Sequence, residues 1–88
     1  DKMPKNQLLK WRKEINNIDN KIFKLFKKRF QVSRKIGNYK KKNKLKVIDF
    51  KRENQLIKKA VKKSKLSKNF IKKLYSLIFN ESRRIQND

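Results

Sequence analysis

A single long run of helical periodicity, over residues 6–41, most constrains how this chain of 88 residues can fold. With Leu8 at position a of a heptad, the a and d positions are apolar except for Arg29, and all c and f positions are polar. A helix of about 35 residues is roughly 50 Å long, which exceeds the width of a globule of this size. Shorter helices cannot cover it, so we expect two such rods to pack together in a homodimer. The a and d residues are Leu8, Trp11, Ile15, Ile18, Ile22, Leu25, Arg29, Val32 and Ile36.

Two shorter segments downstream also show helical spacing. One starts at Asp49, a residue type that favours helix N-caps, and reaches residue 63. The other follows Ser67, a second cap candidate, and reaches residue 87. We therefore expect an all-α fold of three helices in one domain, residues 1–88. The residues expected to face inward are Phe50, Leu56, Ile57, Ala60 and Val61 on the second helix, and Phe70, Ile71, Leu74, Tyr75, Leu77, Ile78, Phe79 and Ile85 on the third.

The composition excludes several kinds of active site. The chain has no Cys and no His, which rules out thiol nucleophiles, disulfides, zinc fingers and imidazole acid–base catalysis. No apolar run approaches the roughly 18 residues of a membrane span, and the N-terminus is polar, so we expect a cytoplasmic protein without a membrane partner. A start at Asp1 instead of Met is expected of a trimmed chain or of a piece of a longer protein.

The net charge of +22 has two explanations. Clustered Lys and Arg favour binding to nucleic acid or to an anionic membrane surface. The alternative is codon bias, because 23 of the 29 cations are Lys, and Lys, Asn, Ile, Phe and Tyr make up 50 of the 88 residues. Most lysines of the first helix lie on or beside its polar face. We therefore prefer the compositional explanation and expect no specific nucleic-acid partner.

Several polar residues interrupt the apolar sides of the helices. Burying a cation there costs free energy unless an anion pairs with it. Alternatively, the long side chains of Lys and Arg can extend so that the charged group reaches water. The Arg fork matches a carboxylate, so the pattern favours a small ligand that carries carboxylates. No nucleophile has a base beside it and no metal-ligand set is present, so catalysis would depend on positioning and electrostatics, without a cofactor. These residues are Arg12, Arg29 and Lys40, then Arg52 and Glu53, then Ser82 and Gln86.

The same residues belong to short motifs in a fixed order. The motifs cover nearly the whole chain. The D-x-x-R-E motif is weak evidence for a family when alone, but strong evidence together with R…R…IGxxK upstream and SxxxQ downstream. Together they resemble the all-helical chorismate mutases, called the AroQ type. The matching elements are Leu9, Trp11–Ile15, Ile18–Asp19, Arg29, Ile36–Lys40, Val47–Glu53, Ser82 and Gln86.

The resemblance implies an intertwined homodimer with two sites, each built from both subunits. It also implies an isomerase that rearranges chorismate to prephenate, in the biosynthesis of phenylalanine and tyrosine, with no covalent intermediate. By this resemblance Arg29 binds a substrate carboxylate, and Arg12 reaches one in the partner's site. Lys40 and Gln86 hydrogen-bond the ether oxygen, where negative charge grows as the C–O bond breaks.

The remaining roles also follow from the resemblance alone. Glu53 binds the ring hydroxyl, and Asp49 opens the second helix and offers backbone groups there. Ser82 and Arg52 complete the carboxylate and hydroxyl contacts, and Ile36 forms a wall against the ring.

The chain departs from the family pattern near its C-terminus. The turn between the second and third helices is short, and Phe79 and Arg83 replace smaller apolar residues beside the pocket. Arg83 could add a carboxylate contact or point to water, and we expect it to point to water because its helical angle lies just outside the apolar arc. Glu81 is expected to pair with a neighbouring Lys or Arg.

Three alternative functions remain. One is isochorismate–pyruvate lyase on the same scaffold, which Asp49, Glu53 and Ser82 argue against. Another is a basic helical nucleic-acid or membrane-surface binder, which is disfavoured because the Phe residues follow the apolar arcs and are not free to stack on bases. The third is a regulatory domain that binds a chorismate-like ligand without turnover.

Overall fold

The structure, a computed structural model, describes residues 4–87. It contains three helices, α1 (Pro4–Lys42), α2 (Phe50–Ser64) and α3 (Lys68–Gln86), and no strand among the described residues. The all-α class and the three helices are therefore confirmed, and the observed ends differ from the predicted ones by one or two residues. In this part of the chain, no helix is both long enough and apolar enough to cross a membrane.

The chain divides into two compact units, Asp1–Gln31 and Val32–Asp88. The first unit contributes most of α1, and every side chain described there is exposed or half-buried. Its large apolar residues remain in solvent in the single chain, and Phe26 and Phe30 stack at a centroid distance of 6.2 Å. A stripe of exposed apolar residues this long is typical of an interaction surface. Its exposed members are Leu8, Leu9, Trp11, Ile15, Ile18, Ile22, Phe23 and Leu25.

The second unit contains the end of α1 together with α2 and α3, and it holds a small core on one side of α3. Ile71, Ile78 and Ile85 are buried there at seven-residue spacing, with Phe79 beside them. Burial of side chains of this size stabilises a fold by about 1.5–3 kcal/mol each. The prediction of a single domain over residues 1–88 stays a prediction.

Three apolar residues predicted to face inward are exposed, so the prediction of their burial is wrong for the single chain. Phe70 is 51% exposed and Leu77 is 70% exposed, and Phe50 is also exposed. Phe70 and Leu77 each precede a core isoleucine by one residue, which rotates them about 100° around the helix axis. They form a second stripe on α3 that the small core does not reach.

Side-chain caps fix where the two shorter helices begin. Asp49 Oδ1 accepts the Arg52 backbone N–H at 3.0 Å, and Ser67 Oγ accepts that of Phe70 at 3.0 Å. Each such cap stabilises a helix by about 1 kcal/mol. At the other end of α2, Lys65 adopts a left-handed conformation (φ 57°), which stops the helix and allows a turn of only a few residues before α3.

Candidate active site

The last turns of α1 lie directly against the C-terminal half of α3. Ser33 and Ser82 are both buried, and their hydroxyl oxygens are 3.2 Å apart in a hydrogen bond. One turn further along α1, Gly37 is buried against Gln86. A Cβ at Gly37 would lie 2.7 Å from Gln86 Cγ and 2.9 Å from its Cα, so only glycine allows the two backbones to come this close.

Lys40 follows Gly37 by three residues, which puts both on one face of α1. Its side chain is half-buried, and Nζ donates a hydrogen bond to the backbone oxygen of Val47 at 2.9 Å. This contact ties the end of α1 to the segment that leads into α2. An ammonium group has three N–H donors, so two remain for another acceptor.

The first turn of α2 carries three of the predicted site residues. Asp49 caps the helix as the sequence predicted, and Arg52 is exposed. Glu53 is half-buried, with a backbone N–H bonded to the Asp49 carbonyl oxygen at 3.0 Å. A carboxylate in the first turn also interacts favourably with the positive end of the helix dipole.

Glu53 forms an ion pair with Arg83 of α3, thirty residues later in the chain. Arg83 Nη2 donates to both carboxylate oxygens, at 2.7 and 2.6 Å. Arg83 Nη1 donates to Asn80 Oδ1 at 3.2 Å, and the guanidinium lies 5.7 Å from the centroid of the Phe50 ring. The prediction that Arg83 points to water is therefore wrong: the opposite charge of Glu53 and the Phe50 ring draw it inward.

Two buried polar atoms of α3 have no hydrogen-bond partner, and they are Arg83 Nε and Gln86 Oε1. A buried polar atom left unpaired destabilises a fold by about 1–3 kcal/mol. The two residues are three positions apart and so lie on one side of the helix. Unpaired buried groups in a folded protein need an explanation, and a bound polar ligand or a water molecule would provide one.

A second Arg–Glu pair on α3 is exposed to solvent. Arg84 donates to Glu81 at 3.0 and 2.7 Å, which confirms the predicted pairing of Glu81. The hydrogen bond from Arg84 lowers the pKa of the Glu81 carboxyl below its ordinary value. Among the described residues, no group of three acidic, His or Cys side chains is arranged to hold a metal ion.

The other predicted residues are less enclosed in the single chain. Arg12 is exposed, while Arg29 is half-buried and takes part in an interaction; both lie in the first unit. Ile36 lies in the second unit and is exposed. Their place in the site stays a prediction.

Comparison with known proteins decides the family. The family model described as chorismate mutase type II matches residues 11–87. The chain belongs to this family. The resemblance inferred from the R…R…IGxxK…DxxRE…SxxxQ motifs is thereby confirmed.

Three bacterial relatives of this chain are each named bifunctional chorismate mutase/prephenate dehydratase. The one from Buchnera aphidicola subsp. Schizaphis graminum is 42% identical over 81 residues, which is 89% of this chain and 21% of the relative. The relative from Buchnera aphidicola subsp. Acyrthosiphon pisum is 40% identical over 88% of this chain and 21% of the relative. The relative from Buchnera aphidicola subsp. Baizongia pistaciae is 38% identical over 89% of this chain and 22% of the relative. The chain thus spans about a fifth of the length of these relatives. No solved structure matches it significantly.

The structure places Ser82 and Gln86 at the contact between α1 and α3, and Lys40 follows Gly37 of that contact by three residues on α1. Glu53 is linked to the same face of α3 through Arg83. Sequence analysis did not predict the contact of Arg83 with Glu53, although the chain offered one signal, because Arg is rare here, at 6 of 29 cations.

Proposed function

We propose that this chain catalyses the rearrangement of chorismate to prephenate, as an intertwined homodimer in the cytoplasm. It would use neither a cofactor nor a nucleic-acid partner. Membership of the chorismate mutase type II family supports the activity, and the bacterial relatives support the location. The contact between Gly37 and Gln86 supports the site most directly, since Lys40 follows Gly37 by one turn on the same face of α1.

Lys40 and Gln86 stabilise the ether oxygen of chorismate as the C–O bond breaks. Negative charge develops on that oxygen in the transition state, and a fixed ammonium and a fixed amide stabilise it more than they stabilise the ground state. The buried amide oxygen of Gln86 has no partner. An amide rotation of 180° exchanges its oxygen for the NH₂ group, which then donates to the ether oxygen.

The cations and the remaining polar groups hold the substrate in a reactive conformation. Arg29, together with Arg12 of the second subunit, binds the two carboxylates in bidentate geometry. The exposed apolar face of α1 supports the dimer, because a second copy of the chain would cover it. In the same site Glu53 accepts the ring hydroxyl, Asp49 presents backbone groups, Ser82 and Arg52 complete the polar contacts, and Ile36 packs against the ring.

Turnover of chorismate by the purified chain tests the proposal. We expect loss of chorismate absorbance with formation of prephenate, at least roughly a millionfold faster than the spontaneous rearrangement in buffer. Isochorismate is assayed in parallel. Release of pyruvate from isochorismate, with chorismate untouched, would instead indicate the lyase. Tight binding of chorismate without turnover would indicate a regulatory domain.

Replacing Gly37 by Ala tests the contact between α1 and α3. The new Cβ would overlap Gln86, including its backbone, so α3 must move away. Overpacking typically costs about 1–3 kcal/mol, and the higher helix propensity of Ala offsets up to about 1 kcal/mol of this. Displacement of Gln86 by a fraction of an ångström lowers kcat by roughly tenfold or more.

Thermal melts and steady-state kinetics measure the two effects of Gly37→Ala. The neighbouring Asn38 is exposed, so Asn38→Ala is the matched control and should change neither quantity. Wild-type kcat in Gly37→Ala would show that Gln86 does not depend on this contact.

A further inference from the structure

We propose that Arg83 is a positioning residue, which fixes the Glu53 carboxylate so that it receives the ring hydroxyl of the substrate. This inference rests on the proposed function, because it assigns Arg83 a role in the same site.

Arg83 holds the carboxylate at both of its oxygens. A single nitrogen, Nη2, donates to Oε1 at 2.7 Å and to Oε2 at 2.6 Å, which centres the carboxylate on one N–H group. The guanidinium is itself fixed by Asn80 on one edge and by the ring of Phe50 at 5.7 Å. Glu53 is fixed from its other end by the first turn of α2. Each side chain is therefore held by contacts in addition to the ion pair itself.

The ion pair leaves Glu53 able to bind a ligand. A carboxylate offers about four lone-pair directions on two oxygens, and Nη2 occupies one direction on each. The remaining directions can accept a hydroxyl hydrogen. Arg83 therefore restricts the orientation of Glu53 without occupying all of its acceptor capacity.

Arg83 also solves an electrostatic conflict in the proposed site. Chorismate carries two carboxylates, so an uncompensated Glu53 would repel the substrate it has to bind. The side chains of Arg83 and Glu53 are only 26% and 19% exposed, so water screens such a repulsion less than it would at the surface. The positive charge of Arg83 offsets it.

The pair of Arg84 and Glu81 provides the contrast that an experiment needs. It also joins an Arg of α3 to a Glu, but here both residues lie on α3 and their side chains are 62% and 42% exposed. Substitution of Arg84 removes the same charge and the same kind of hydrogen bond from the surface. Arg84→Met is therefore the matched control for Arg83→Met, in which an unbranched apolar side chain replaces the stem of the arginine and the guanidinium is removed.

The experiment compares kcat and KM for chorismate in the wild type, Arg83→Met, Arg83→Lys, Arg84→Met and Glu53→Gln, together with thermal melts. We expect kcat/KM to fall at least about tenfold in Arg83→Met, with partial rescue in Arg83→Lys, and to stay unchanged in Arg84→Met. Because Arg83 acts through Glu53, the double variant Arg83→Met/Glu53→Gln should be no slower than Glu53→Gln alone.

A chorismate analogue without the ring hydroxyl separates positioning from a purely structural role. The wild type should prefer chorismate over this analogue, and both Arg83→Met and Glu53→Gln should lose that preference. A wild type without turnover overturns the proposed function. A second outcome is an active wild type that Glu53→Gln impairs but Arg83→Met does not. That outcome overturns only the positioning role of Arg83.

Two further results would also overturn the positioning role. One is a loss of kcat/KM in Arg83→Met that is fully explained by a smaller fraction of folded protein. The other is a preference for chorismate that survives in Arg83→Met. If Arg83→Met does not fold, the same comparison with the analogue is made on Arg83→Lys.

Discussion

Replacing Lys40 by Met is expected to lower kcat for chorismate by roughly 10²–10³-fold, the usual loss when one preorganised donor to a developing negative charge is removed. Met keeps most of the length of the side chain and removes the ammonium. Since the charge on the ether oxygen grows only as the bond breaks, the loss should lie mainly in kcat, with a smaller change in KM.

The Lys40→Met variant also loses the hydrogen bond from Nζ to the Val47 carbonyl oxygen. That bond contributes about 1 kcal/mol to stability, so a shift of the melting temperature by a few degrees is expected in addition. Lys42 is exposed in the last turn of the same helix, and Lys42→Met is the control for the change in charge. Steady-state kinetics on folded protein, verified by circular dichroism, make the comparison. Equal kcat in the wild type and Lys40→Met would refute the assigned role of Lys40.

The helices could be predicted from the sequence because their signals are local. Heptad periodicity indicated α1, and the cap residues Asp49 and Ser67 marked the starts of α2 and α3. Each signal lies within a few residues of the feature it specifies, so no knowledge of tertiary packing was needed. The predicted burial of Ser82 followed in the same way from its position on the apolar arc of α3.

Contacts between residues distant in the chain could not be predicted in this way. Glu53 and Arg83 are thirty residues apart, and a helical angle measured on α3 alone contains no information about the charge that α2 presents to it. The close approach of Gly37 to Gln86 is hidden for the same reason, since it joins residues 49 positions apart. The sequence indicated which residues lie on apolar faces, and packing determined which of them meet.

The exposure of Phe70 and Leu77 shows a second limit of prediction from sequence periodicity. Apolar periodicity indicates that a face is apolar, and it does not indicate what covers that face. The same holds for α1, where the apolar stripe is exposed in the single chain. In the proposed dimer, a second copy of the chain covers this stripe. Arg12 of each subunit then acts in the site of the other subunit.

A mixture of two inactive variants, Arg12→Ala and Lys40→Met, is expected to recover activity when their subunits exchange. In the proposed dimer each site takes Lys40 from one subunit and Arg12 from the other. A heterodimer of the two variants therefore contains one site with both residues intact and one site with neither. Heterodimers selected through two different affinity tags should show about half of the wild-type kcat per dimer, because one of two equivalent sites works.

The control for this recovery is the heterodimer of Lys40→Met with Glu53→Gln. The proposal assigns both of these residues to the same subunit's share of a site, so each site of that heterodimer is damaged and activity should stay low. Recovery with Arg12→Ala but not with Glu53→Gln would therefore distinguish a shared site from simple stabilisation by mixing. If Arg12 acted within its own subunit, neither heterodimer would recover. A chain that sediments as a monomer at assay concentration would contradict the shared site as well, since the exposed face of α1 would then have no second copy against it.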